Sequence, residues 1–278
     1  MNRRTFVKSV LASVVAIPTI ATGVGFAEAV NTQVKHVSFT LPNLPKSFDG
    51  LRVAFLTDLH HGPYMGLDFI TNIVRTTKQL EPDIILHGGD YTLRDAKYID
   101  PVFEALKPLT ATLGSYGVLG NHDYKYSADL TRRGMRRAGI QELQNQTVRL
   151  TRGGEVLNLA GVTDLWYGVP DLTTALKDVQ VGEACLMLSH NPDFAEKFKD
   201  TRPGLMLSGH THGGQMNLPG MKNPFLPSFY GDKYARGFVD GPNGKVYVSC
   251  GLGLTGLPVR YNCPPELTLL TLRSSEGC

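Results

Sequence analysis

Residues 51–60 read LRVAFLTDLH, and this stretch decides the fold class. A short apolar run that breaks off into polar residues is typical of a strand buried inside an α/β protein. Asp58 and His60 stand immediately after the run. Because ligands of open α/β sheets bind at the carboxyl ends of the strands, these two side chains predict a functional site at that edge.

Strand and helix patterns alternate along the sequence that follows. Apolar residues recur at helical spacing over 67–80 and 101–109, and short apolar runs predict strands at 83–87 and 116–119. This alternation favours parallel strands joined by crossover helices.

The second half of the chain has a different pattern. The predicted elements are hairpin strands at 148–150 and 155–162, a short helix at 172–179, buried strands at 184–189 and 204–208, and antiparallel strands at 246–249 and 266–272. The stretch 216–236 is rich in Pro, Gly and aromatic residues and predicts a long structured loop. No stretch has the composition of a linker, so residues 30–278 are predicted to form a single α/β domain.

The composition is that of an ordinary globular protein. The chain has 278 residues, of which 42% are apolar and 19% charged, and it is long enough to fold without a disulfide or a structural metal. The formal net charge is +3, but three basic residues and one acidic residue fall within 1–29, so the remainder carries only +1. A nucleic-acid-binding protein needs a basic face, which this balance disfavours.

The first 29 residues have the pattern of an export signal. Arg3, Arg4 and Lys8 precede an uncharged run over 9–27, and Ala27-Glu28-Ala29 fits a small-x-small cleavage site. The paired arginines resemble the twin-arginine signal, whose machinery exports folded proteins. Nineteen uncharged residues can also just span a bilayer, so a retained membrane anchor through 9–27 stays an alternative to cleavage. Either way, we expect a protein of the periplasm or cell envelope.

The four cysteines, Cys185, Cys250, Cys263 and Cys278, contain no CxxC pair and therefore indicate no structural zinc site. Cys250 and Cys263 are 13 residues apart and could form a disulfide in an oxidising compartment. Free buried thiols are the alternative, and the sequence leaves both open.

Metal-ligating side chains follow most of the predicted strands. The candidates are Asp58, His60, Asp90, Asn121, His190, His210 and His212. Oxygen and imidazole ligands together suit Mn, Fe, Zn or Ni. An extended backbone would place the members of Asp-x-His and His-x-His on one side, and the two glycines before Asp90 would let the backbone approach an ion. Seven ligands exceed one tetrahedral site but fit two ions that share one carboxylate.

The candidate ligands and their neighbours resemble a known series of motifs. In order along the chain, the sequence contains Asp58-Leu59-His60, Gly89-Asp90, Gly120-Asn121-His122-Asp123, His190 and Gly209-His210-Thr211-His212. This series is similar to the five motifs of the calcineurin-like metallophosphoesterases and covers about residues 50–272. The closing segment CGLGLTGLPVR at 250–260 resembles that of an exported bacterial branch with a twin-arginine signal. The resemblance implies a four-layer α/β/β/α sandwich of two mixed β-sheets flanked by helices.

The resemblance also implies roles for single residues. One ion would be held by Asp58, His60, Asp90 and His212, and the second by Asp90, Asn121, His190 and His210. A hydroxide that bridges the two ions would attack phosphorus. His122 would act on the leaving oxygen as a general acid or charge stabiliser, and Asp123 would orient His122.

Several side chains near these motifs have two possible roles. His61 could face the substrate or be a structural residue, and His87 could pack beneath the site. Trp166 is expected to serve packing rather than to clamp a substrate. Arg260 could grip a phosphate or form an internal pair.

The sequence thus predicts a two-metal hydrolase of phosphate esters that acts on a small molecule or on a lipid or wall phosphate. The alternatives are a hydrolase of a UDP-2,3-diacylglucosamine-type pyrophosphate and a metal-dependent envelope binding protein without turnover. The first of these needs cytoplasmic access, which an export signal disfavours. The substrate, the metal and the oligomeric state are not encoded in any recognisable motif.

Overall fold

The computed structural model describes residues 28–217 and 226–275, so residues 1–27 of the predicted signal segment lie outside the described residues. Two mixed β-sheets of six strands each form the framework. In chain order the strands are β1 (Gln33–Thr40), β2 (Arg52–Leu56), β3 (Ile84–His87), β4 (Ser115–Gly117), β5 (Gln141–Glu142), β6 (Gln146–Arg152), β7 (Glu155–Gly161), β8 (Cys185–Leu188), β9 (Leu205–Ser208), β10 (Gly237–Gly241), β11 (Gly244–Val248) and β12 (Glu266–Arg273).

The first sheet has the order β1-β12-β2-β3-β4-β5 and the second the order β10-β11-β9-β8-β7-β6. Strands β2 to β5 are parallel to one another, as are β7, β8, β9 and β11. The predicted parallel arrangement of the first half is therefore confirmed. Each sheet becomes mixed through antiparallel neighbours: β12 beside β2, and β6 and β10 at the edges of the second sheet.

Helices cover the outer faces of the sheets. The α-helices are α1 (Leu67–Gln79), α2 (Ile99–Leu106), α3 (Asn121–Arg137) and α4 (Leu172–Ala175). Helices α1 to α3 pack on the first sheet, where Ile73, Phe103 and Met135 meet Leu56. The opposite face of the same sheet contributes Phe55 to the core between the two sheets. Because β2 is buried on both faces, it has a continuous apolar run instead of an alternating one.

Some elements of the structure have no counterpart among the predicted ones. The stretch around 30–50, which has no strand pattern, contains β1, and the sequence gives no indication of α3. Only a few side chains of α3 beyond its first turn are buried, among them Thr131 and Met135, and the backbone is non-helical at Ser127. An apolar stripe is what periodicity detects, and α3 has almost none.

Strands β11 and β12 lie in different sheets, and each pairs antiparallel with one neighbour and parallel with the other.

The first residues described, at the end of the predicted signal segment, contact the domain. The Glu28 carboxylate accepts hydrogen bonds from the backbone N–H groups of Asn262 (3.0 Å) and Cys263 (2.6 Å). Ala29 is buried beside Met65 and Leu254. Within the described residues, no helix combines the length and apolar character needed to cross a membrane.

Candidate metal centre

The loops that follow β2, β3, β8 and β9 meet the first turn of α3, and this meeting point brings all seven predicted ligands together. The first group consists of Asp58, His60 and His212. The Nε2 atoms of His60 and His212 are 3.0 Å apart, and the Asp58 Oδ1 atom lies 3.8 Å and 3.4 Å from them. All three residues are buried.

The second group surrounds His190. Its Nε2 atom lies 3.1 Å from Asn121 Oδ1, 3.3 Å from His210 Nδ1 and 3.3 Å from Asp90 Oδ2. The other ring nitrogen of His190 is 2.8 Å from the backbone carbonyl of Gly88. As a donor to that carbonyl, Nδ1 leaves Nε2 to face the other three residues, with a lone pair available to an ion once the ring is neutral.

Asp90 joins the two groups. Its Oδ2 atom is 3.3 Å from His190 Nε2 and 3.5 Å from His60 Nε2, so one oxygen reaches both sides. Its Oδ1 atom accepts a hydrogen bond from the backbone N–H of His122 at 2.8 Å, in the first turn of α3. The N-terminus of a helix stabilises a nearby negative charge, which suits a carboxylate shared between two groups.

The spacing of these atoms tests whether a metal fits. Ligands about 2.1 Å from an ion are about 3.0 Å apart at right angles and about 3.4 Å apart at tetrahedral angles. The separations just given, from 3.0 to 3.8 Å, lie close to these two values. One carboxylate oxygen, Asp58 Oδ1, lies beside the imidazole nitrogens of both His60 and His212. The donor set therefore fits divalent cations.

The backbone at the ligands is unusual, and this corrects the reason given for their convergence. Asp58, His60, Asp90, His210 and His212 all have φ between +48° and +70°, the left-handed region. The side chains of Asp58 and His60 therefore do not share one side because of an extended strand. Residues other than glycine in this region cost about 1–3 kcal/mol each and concentrate at functional sites.

Two glycines leave room for the carboxylates. A Cβ atom on Gly120 would lie 2.2 Å from Asp90 Oδ1, and one on Gly209 would lie 2.1 Å from Asp58 Oδ2. The glycines before Asp90 serve neighbouring segments rather than an ion, since a Cβ on Gly89 would lie 2.4 Å from the backbone nitrogen of Gly120.

Burial and charge set the protonation of the site. Burial lowers the pKa of His60 and of His210 to about 3, so both rings are neutral near pH 7, as metal ligands must be. Burial also raises the pKa of Asp58 to about 6. At His190 burial opposes the charge, but the nearby carboxylates, Asp90 foremost, together outweigh burial and raise the pKa to about 10. Asp90 therefore attracts positive charge, and a divalent cation bound there would displace a proton from His190.

His122 and Asp123 differ from expectation in one respect. His122 lies beside the ligands, with its ring 4.9 Å from that of His60, and it lines the cavity that opens onto the centre. Asp123 does not orient it. The Asp123 carboxylate accepts backbone hydrogen bonds from Asp90 (2.7 Å), Gly120 (2.9 Å) and Tyr91 (3.0 Å), so it braces the Asp90 loop against α3.

Arg260 forms internal contacts. It is fully buried, and its Nη2 atom donates to the backbone carbonyls of Cys250 (2.9 Å), Gly251 (3.1 Å) and Gly253 (2.6 Å). Arg260 therefore organises the closing segment behind His212 and is not among the residues that line the cavity.

His61 and His87 make structural contacts. His61 Nδ1 lies 2.8 Å from the Met65 carbonyl oxygen, and His87 Nε2 lies 3.1 Å from Ser115 Oγ.

Within the described part of the chain, the thiols of Cys185, Cys250 and Cys263 are buried and form no disulfide. Cys278 lies outside it.

A cavity of about 420 Å³ opens onto the metal centre. Trp166 lines it with its ring edge-on to His210 at 4.4 Å, which corrects the expectation that it only packs. Two residues that hold the walls of this cavity, Asp164 and Gln215, are not among the residues predicted from the sequence. Both are buried polar residues in loops that follow β7 and β9. The position of Gln215, three residues after His212, was the only available signal.

Comparisons with known proteins agree with this geometry. A family model described as calcineurin-like phosphoesterase matches residues 51–214. The metallophosphoesterase YkuE of Bacillus subtilis is 31% identical over 285 aligned positions, which cover 99% of both chains. The phosphodiesterase YaeI of Escherichia coli is 34% identical over 229 positions, 80% of this chain and 82% of that protein. Among solved structures, a 5'-nucleotidase precursor from Thermus thermophilus has a TM-score of 0.50 at 13% identity, and the match covers 80% of this chain and 54% of that one. This last likeness concerns the fold alone.

Proposed function

The chain belongs to the calcineurin-like phosphoesterase family, and we propose that it hydrolyses phosphodiesters at a centre of two divalent metal ions. The observation that carries the proposal is the position of Asp90 Oδ2, within 3.5 Å of His60 and 3.3 Å of His190. One ion would be held by Asp58, His60, Asp90 and His212, and the other by Asp90, Asn121, His190 and His210.

Two divalent cations, when bound there, would supply Lewis acidity toward the phosphoryl oxygens and a water of lowered pKa as the nucleophile. The chain itself provides the positions. The first turn of α3 fixes the Asp90 carboxylate through the His122 backbone N–H, and Asp123 fixes the backbone of the same loop. This bracing keeps the shared carboxylate in one orientation, as catalysis by positioned groups requires.

His122 is proposed as the group that acts on the leaving oxygen. It lines the cavity, and burial is the main cause that lowers the pKa of its imidazole below the ordinary value. Its Nδ1 atom has no hydrogen-bond partner among the described side chains and backbone. In its protonated form this ring would protonate the departing alkoxide, and the lowered pKa makes that form a stronger acid.

Two observations favour a diester over a monoester. The described residues that line the cavity include no lysine or arginine, and a monoester dianion carries one charge more than a diester. The Escherichia coli relative is named as a phosphodiesterase.

We also propose that the enzyme is exported by the twin-arginine route and acts in the cell envelope. This proposal rests on the sequence of residues 1–29.

The test uses protein reconstituted with Mn²⁺, Zn²⁺, Fe²⁺ or Ni²⁺. We expect turnover of bis(p-nitrophenyl) phosphate to exceed that of p-nitrophenyl phosphate, and elemental analysis to approach two ions per chain. Asp90→Ala should lose both ions and the activity, whereas Asp171→Ala, which removes the N-cap of α4, should keep them. Two ions retained by the Asp90 variant would overturn the shared-ligand assignment. Absence of turnover with every metal would overturn the proposed function.

A further inference from the structure

The cavity beside the metal centre is built with apolar walls. Besides residues of the metal site, its lining includes Trp166, Met216, Pro227 and Leu257. Trp166 is 42% exposed and Leu257 is 56% exposed, so neither is part of the hydrophobic core. Large apolar side chains exposed beside a reactive centre are typical of ligand contact.

Gln215 fixes the wall that contains Leu257. Its Nε2 atom donates to the backbone carbonyls of Thr255 (3.0 Å) and Leu257 (2.7 Å), and its Oε1 atom accepts from the Thr255 N–H (3.0 Å). Gln215 is only 8% exposed. A buried amide with three hydrogen bonds to one short loop holds that loop in a defined position.

Asp164 fixes the part of the wall that contains Trp166. The carboxylate is fully buried, and its Oδ1 atom accepts hydrogen bonds from the backbone N–H groups of Trp166 and Tyr167, both at 2.9 Å. The turn that carries Trp166 is thereby held against His210, where the two rings meet edge-on. Two buried polar residues from separate loops thus hold two exposed apolar side chains at one cavity.

We propose that this apolar wall is a specificity subsite for an uncharged alkyl or aryl group esterified to the phosphate. The inference rests on the proposed function, and it adds the class of substrate. The described lining offers no cationic side chain to a second phosphate group, and it offers apolar surface to an alkyl chain or a ring. Gln215 and Asp164 are positioning residues of this subsite, and Leu257 and Trp166 are its contact residues.

The experiment compares p-nitrophenyl phosphodiesters that differ only in the second ester group: methyl, butyl, octyl and phenyl. All release the same leaving group, so differences in kcat/KM report on the second group. Each methylene that becomes buried should raise kcat/KM by at most about fourfold, until the cavity is full. A rise along the alkyl series indicates a chain-binding subsite, and a rise confined to the phenyl ester indicates one for a flat ring.

Variants locate the effect. Leu257→Ser should lower the ratio of kcat/KM for the preferred ester over the methyl ester, and Gln215→Glu should lower the same ratio because it removes both amide donors to the loop. Val181→Ser is the matched control, since Val181 is an apolar residue that is 91% exposed and does not line the cavity. It should leave the ratio unchanged. Leu257→Ser alone decides the question if the Gln215 variant does not fold.

The outcomes separate the two proposals. Turnover of every ester at one common kcat/KM would overturn the subsite and leave the phosphodiesterase intact. Equal losses on all esters in Leu257→Ser would also overturn it, because a subsite for the second group must act selectively. No turnover of any ester by metal-loaded wild-type protein would instead overturn the proposed function.

Discussion

Replacing Asp123 with asparagine tests whether this carboxylate braces the Asp90 loop. Its two oxygens accept three backbone N–H groups, from Asp90, Gly120 and Tyr91, and the residue is fully buried. Asparagine keeps one acceptor oxygen. In the better of its two orientations the amide nitrogen faces the Tyr91 N–H, so one hydrogen bond is lost and one buried N–H group is left unpaired, at a cost of about 1–3 kcal/mol. Burial raises the pKa of Asp123 to about 8, so the carboxyl is largely uncharged near pH 7 and the other two bonds change little.

At about 2–4 °C per kcal/mol for a domain of this size, Tm should fall by about 2–12 °C. Thermal unfolding and elemental analysis provide the assay, and the variant should also bind metal more weakly because Asp90 loses its support. Asp95→Asn is the matched control: its carboxylate also accepts a backbone N–H, from Lys97, but at an exposed site, so its loss of stability should be much smaller than that of the Asp123 variant. An Asp123 variant with wild-type stability and metal content but with turnover as low as that of a His122 variant would refute this reasoning. It would show that Asp123 acts on His122.

Three further predictions concern other parts of the molecule. Burial lowers the pKa of His87 to about 3, so its contribution to stability is complete above about pH 6.5 and is lost as the pH falls toward 3, at about 1.4 kcal/mol per pH unit. In urea titrations across this range, His87→Gln should lower the slope of unfolding free energy against pH by the amount that one proton contributes, about 1.4 kcal/mol per pH unit. An unchanged slope would contradict a His87 ring that is buried and neutral. His122→Ala should lose about 10²–10⁴-fold in turnover while keeping its metal, with a smaller loss for a nitrophenolate leaving group; equal losses for all leaving groups would indicate charge stabilisation instead. Arg3→Lys combined with Arg4→Lys keeps the charge but should leave active enzyme in the cytoplasm, as cell fractionation would reveal, and normal export would contradict the twin-arginine assignment.

Much of the fold was predictable because its central strands are buried on both faces. β2, β3, β8 and β9 are short and wholly or almost wholly buried, so each stands out in the sequence as an apolar run between polar loops. The elements that were missed lack such a contrast. β1 is exposed or half-buried along its whole length, and it is held by its parallel pairing with β12, a partner more than 200 residues away. Local patterns cannot report a strand whose stabilisation comes from a distant segment.

The site was predictable for a different reason, and only in part. The ends of parallel strands meet at one edge of a sheet, so polar residues that follow those strands come together whatever their local backbone. That topological fact, and not an extended Asp-x-His or His-x-His geometry, explains why the predicted ligands converge although most of them have left-handed backbone angles. The roles of Asp123 and Gln215 could not be predicted in this way. Both act on backbone groups of other segments, so their function depends on which loops become neighbours after folding. A motif identifies residues that face a ligand, whereas residues that position the loops around it become recognisable only when their backbone partners are known.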